Sequence, residues 1–113
     1  MTVEDVAVID ILGINKAEEV VLTISDHLDW SNEVDHLLTL QAKINKYLEF
    51  IENGEIFEKY PKAKGRKIVI EVIGKHEPPP RAKDFIEEAM RRITKAGFCF
   101  RFRLFAGGRN VVM

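Results

Sequence analysis

The chain has 113 residues, a length for one domain whose core takes about 65% of the unfolded surface out of water. Apolar residues make up 46% and charged residues 31%, which excludes collagen-like sequence, extended disorder and a dominant polybasic character. The formal charge of −1 hides a division, because residues 1–59 hold 13 acids against 4 bases and residues 60–113 hold 13 bases against 5 acids.

The first residues carry Glu4 and Asp5 where a secretory signal has bases, and Asp10 interrupts the apolar stretch that follows. No apolar run approaches the roughly 18 residues of a membrane span, so the expectation is a cytoplasmic chain with no membrane segment. Residues 6–14 and 19–25 are rich in β-branched side chains and are joined by the polar Asn15-Lys16-Ala17-Glu18, the pattern of a β-hairpin. Over residues 32–53 the period changes. Val34, Leu37, Leu38, Ile44, Leu48 and Ile51 recur at helical steps, and Asn53-Gly54 supplies a stop. Asp29 or Ser31 suits the cap of this helix, and Asn32, Glu33 and Asp35 put polar and acidic groups at the positive end of its dipole.

Residues 54–65 read as a connection, because Pro61 disfavours helix in the residue before it. Within residues 66–75, Ile68-Val69-Ile70-Glu71-Val72-Ile73 is apolar on both faces apart from Glu71, as in a central strand. Pro78-Pro79-Pro80 ends it. Residues 81–96 place Ala82, Phe85, Ile86, Ala89, Met90, Ile93 and Ala96 on one stripe, with Lys83/Glu87, Glu87/Arg91 and Glu88/Arg92 as opposite charges four apart. Gly97 fits a left-handed cap, and residues 98–105 alternate strictly, with Phe98, Phe100 and Phe102 facing away from Arg101 and Arg103.

The order β-β-α-β-α-β predicts an α+β two-layer sandwich, a four-stranded mixed or antiparallel sheet with two helices on one face. A single domain is expected over residues 1–105, and residues 106–113, with Gly107-Gly108, read as a mobile tail. If the last two strands are parallel, their crossover is right-handed. The order of strands in the sheet stays open.

Three segments carry a resemblance: Ile24-Ser25-Asp26-His27-Leu28-Asp29-Trp30; Tyr47-Leu48-Glu49-Phe50-Ile51 with Gly54-Glu55-Ile56; and Gly97-Phe98-Cys99-Phe100-Arg101-Phe102. Through them the chain resembles a family of small bacterial proteins classed as a domain of unknown function. The resemblance spans nearly the whole chain and implies a bacterial, one-domain protein, with no activity attached.

The densest polar cluster lies between the second strand and the first helix. Asp26, His27, Asp29, Glu33 and His36 offer the nitrogen and oxygen donors that suit zinc or manganese, which makes a small metal-assisted enzyme one reading. The plainer reading is capping, since the spacing matches no metal motif. Trp30 in the same stretch is either a binding anchor or a lid on the core. Leu40, Tyr47 and Phe50 lie outside the Val34/Leu38/Ile51 stripe and widen the apolar surface of the first helix. That surplus suggests self-association, unless Ile56, Phe57 and Tyr60 fold back over it.

Arg101 and Arg103 mark the other sheet face, open to a partner or paired with Glu71. Because the phenylalanines lie on the opposite side, a nucleic-acid platform is not expected, and polyanion binding by the basic half ranks below the other readings. Cys99 is the only cysteine and reads as a small buried residue in a reducing compartment. No cofactor motif is present, so none is expected. The leading expectation is a non-enzymatic protein-interaction module that forms a homodimer.

Overall fold

The computed structural model describes residues 11–106 and 109–110. Its elements are β1 (Ile11–Ile14), β2 (Val20–Asp26), α1 (Glu33–Glu52), α2 (Glu55–Lys59), a 3-10 turn (Pro61–Ala63), β3 (Ile68–Gly74), α3 (Pro80–Lys95), β4 (Cys99–Ala106) and β5 (Arg109–Asn110). The hairpin, the two long helices and the central strand fall where the sequence places them. Residues 6–10 of the expected first strand lie outside the described residues, as do 107–108 and 111–113 of the expected tail. Within that tail, Arg109 and Asn110 pair with Ala106 and Phe105.

The strands lie in sequence order across a mixed sheet. β1 runs antiparallel to β2, and β2, β3 and β4 are mutually parallel in the registers Leu22↔Ile70 and Ile70↔Phe100. Two parallel crossovers in the same direction, each of the usual hand, put both long helices on one side of the sheet. That placement is the one the sequence predicts, and the two helices line a common groove there. Even-numbered strand residues face them. Val20, Leu22 and Ile24 of β2, Ile68, Ile70 and Val72 of β3, and Phe100 of β4 pack in one cluster with Leu40, Ile44, Tyr47 and Ile51 of α1 and Ile86 and Ile93 of α3. Each such side chain contributes about 1.5–3 kcal/mol by leaving water.

Two expectations are corrected. The segment expected as a connection contains a helix, α2, which fits between the left-handed Gly54 (φ 82°) and the helix-breaking Pro61. Its Ile56 is fully buried, and Phe57 and Tyr60 pack against the core. The second correction concerns the face that α1 buries. The core receives His36, Leu40, Lys43, Ile44, Tyr47, Phe50 and Ile51, whereas Val34 and Leu38, expected in the apolar stripe, are 54% and 58% exposed. The period was legible and the phase was not.

Two further glycines have a structural reason, one in the backbone and one in packing. Gly97 (φ 97°) closes α3 in a Schellman motif, where Phe98 N–H donates to Ile93 O (3.0 Å) and Gly97 N–H to Thr94 O (3.0 Å). At Gly74 a Cβ would stand 2.8 Å from Cζ of Phe102, so the ring of β4 crosses the end of β3 only because no side chain is there.

Candidate interaction face and the strand-to-helix junction

The junction begins where β2 ends. Asp26 and His36 are each 3% exposed, and His36 Nε2 lies 2.6 Å from Asp26 Oδ2. The other ring nitrogen, Nδ1, is 2.9 Å from the carbonyl of Asp29. A carbonyl only accepts, so Nδ1 carries a proton. The contact at Nε2 then needs a further proton, either on the ring facing a carboxylate or on the carboxyl facing a neutral ring. In both states the pair shares one proton, and both ring nitrogens are committed within the fold. Asp26 Oδ1 also accepts from Leu28 N–H (3.3 Å).

Trp30 covers this pair. Its ring stacks on His36 with centroids 3.6 Å apart, and its indole N–H donates to His76 O at 3.4 Å. Trp30 is half-buried, and these two contacts join α1 to the loop after β3. The remaining polar residues make local turns. Asp29 Oδ1 accepts from Ser31 Oγ (2.6 Å) and Ser31 N–H (3.1 Å), and these bonds, with the nearby histidines, hold its carboxyl below the ordinary range. The N-cap is Asn32, not Asp29 or Ser31. Its side chain accepts from Asp35 N–H (3.3 Å) and donates to Asp35 Oδ2 (2.8 Å).

The five-residue metal set therefore does not assemble. Asp26 and His36 bind each other, Asp29 serves Ser31, His27 is exposed and Glu33 is half-buried. Among the described residues, no three His, Cys, Asp or Glu side chains are placed to hold an ion.

The second group of candidates is on α1. Leu40 and Tyr47 are fully buried and Phe50 nearly so, which removes them as a surface flank. Tyr47 Oη donates to Thr23 O (2.9 Å) deep in the core. What sequence reasoning placed inside is outside. Val34 and Leu38 share one helical face with Gln41, Asn45 and Leu48, and the lower part of this face walls a groove of about 180 Å³ against Phe85, Ala89 and Arg92 of α3. A legible signal was the seven-residue spacing of His36, Lys43 and Phe50 beside that of Leu40 and Tyr47, which marks the buried face once polar residues are admitted to it.

On the other sheet face the arginines are already partnered. Arg101 Nη2 bonds Glu19 Oε1 (2.7 Å), and Arg103 Nε lies 3.3 Å from Glu71 Oε2, the cross-strand pairing foreseen for Glu71. Glu19 also accepts from Asn15 (2.9 Å) and faces Lys67 (3.8 Å). The Asn15 and Arg101 hydrogen bonds hold its carboxyl below the ordinary range. Phe100 is in the core on the opposite side, as the alternation predicts. Among the described residues no helix is long and apolar enough to cross a membrane.

Comparison with known proteins gives one match, over residues 1–106, to a family described as Family of unknown function (DUF6572). No curated protein and no solved structure matched the chain.

Proposed function

The chain belongs to this family of unknown function, and on the geometry we propose that it is a non-enzymatic protein-interaction module that associates with a second copy of itself through its helical layer. The observation that carries the reading is the exposure of Val34 and Leu38, 54% and 58%, on the face of α1 that continues into the groove against α3. Covering the half of each residue that is still exposed gains about 1 kcal/mol each, and a symmetric contact gains it twice. The acidic first half and the basic second half supply complementary charge, which orients an encounter.

The junction supports the non-enzymatic part. A histidine that acts as a base needs a nitrogen open to substrate, and both nitrogens of His36 are occupied beneath Trp30. The reading includes a bacterial, cytoplasmic setting, which suits a chain with Cys99 as its only cysteine. Sedimentation equilibrium over a range of concentrations tests the proposal. A concentration-dependent dimer is expected, and a strict monomer at millimolar concentration overturns it.

A further inference from the structure

Resting on that reading, we infer that the second copy docks with its α1 antiparallel to α1 of the first, about a two-fold axis through Gln41. Val34 and Leu38 of each copy then enter the groove between α1 and α3 of the other.

The inference follows from how one helical face is divided. Val34, Leu38, Gln41, Asn45 and Leu48 recur at three- and four-residue steps and share a stripe. Before Gln41 the stripe is apolar and stands out from the surface; after Gln41 it becomes the wall of a groove. Projection and recess thus lie on the same helix, on opposite sides of one residue. A two-fold interface demands this self-complementarity, in which a contact of one residue with another implies its reciprocal. Turning α1 about Gln41 brings Val34 over Leu48 and Leu38 over Ile44. The axis residue suits its place, because a glutamine amide both donates and accepts and so bonds its own copy.

Charge favours the same register. Since α1 and α3 both link parallel strands, they run in one direction, and Arg92 of α3 stands beside Leu48 of α1. Of the acidic first turn of the second copy, Asp35 therefore comes to the α3 side, at the end of the groove where Arg92, a side chain 75% exposed, stands 3.5 Å from Glu88. Two like-charge approaches result: Asp35 towards Glu88, offset by Arg91 (3.0 Å) and Arg92 (3.5 Å), and Glu33 towards Glu49, eased by Lys46, 3.5 Å from Glu49.

The experiment combines cross-linking with charge insertion in the full chain. Gln41→Cys in a Cys99→Ser background is oxidised at a concentration where the dimer forms, and a covalent dimer is expected. Leu38→Arg is expected to weaken dimerisation at least about 100-fold, because the contact is lost in both grooves. Met90→Arg, at a residue 42% exposed on the other flank of α3, is expected to leave it unchanged. A dimer that forms without the Gln41→Cys cross-link, or that Leu38→Arg spares, overturns this arrangement while self-association stands. A dimer broken by Met90→Arg and not by Leu38→Arg overturns it in favour of the other flank. Absence of any dimer removes both readings.

Discussion

Helices α1 and α3 cover the same sheet face, yet they divide polar from apolar residues differently. In α3, Ala82, Ile86 and Ile93 are buried, Met90 of the expected stripe is 42% exposed, and the charged residues stay at the surface, where Glu88 takes Arg91 (3.0 Å) and Arg92 (3.5 Å) and Lys83 takes Glu77 (3.4 Å). In α1, His36 and Lys43 are inside at 3% and 0% exposure while Val34 and Leu38 are outside. A helix whose pattern is explained by its own sheet needs no more than this chain to account for it. The inversions in α1 point to two further demands. Inward polar groups pin the helix to specific partners, and outward apolar groups are those that the proposed self-association would cover.

The largest test of this contrast is His36→Ala. It leaves the Asp26 carboxyl buried without its partner and is expected to cost about 3–5 kcal/mol in urea unfolding. A loss below about 1 kcal/mol would mean that the pair does not hold α1 to β2. For α3 the matching test is Ile93→Ala, expected to cost about 2–5 kcal/mol through burial and cavity alone. Asp26→Asn is expected to cost only about 1 kcal/mol, because an amide donates to Nε2 of a neutral His36 and still accepts from Leu28.

Smaller effects separate the surfaces. The carboxyls of Glu88 and Asp29 are held below their ordinary values, the first chiefly by its hydrogen bond from Arg91 and the second by Ser31. For a lowered carboxyl, the stabilisation is complete above the unfolded value and is lost as pH falls through the folded one. Glu88→Gln should accordingly flatten the acid limb of a stability profile below pH 4.5, and Asp29→Asn below pH 3.8. Least of all, Leu38→Arg should leave monomer stability within about 0.5 kcal/mol of the parent, measured below the dimerisation range. A large loss there would show that Leu38 serves the fold and would collapse the contrast with α3.

Much of the fold was legible, and the failures have specific causes. The stripe of α3, the apolar run of β3, the Gly97 cap and the Glu71–Arg103 pairing rest on local spacing and residue type. In α1 the assignment went to Val34 and Leu38 because hydropathy counts side chains without counting partners. His36 is inside since Asp26, on another element, meets its ring; Lys43 lies inside with its ammonium 5.5 Å from the Tyr47 ring centroid. The same blindness gathered five junction residues into a metal set. Nearness in sequence suggested convergence of all five, and the fold brought Asp26 and His36 together without a third ligand. His76, whose carbonyl accepts from the Trp30 indole, is remote in sequence and carried no signal of its role.

By itself, then, the sequence determined the kinds and order of the main elements, the separation of Phe100 from the arginines, and the polarity of charge along the chain. Those depend on periods set by backbone geometry, on proline and glycine, and on composition. Only the tertiary structure decided the order of strands, the helix within residues 54–65, and which side of α1 turns inward. A helix of fixed period can present any side to a sheet, and the choice falls to whichever side finds both packing and partners for its polar groups. In this chain that choice buried a histidine on an aspartate and left a valine and a leucine facing out.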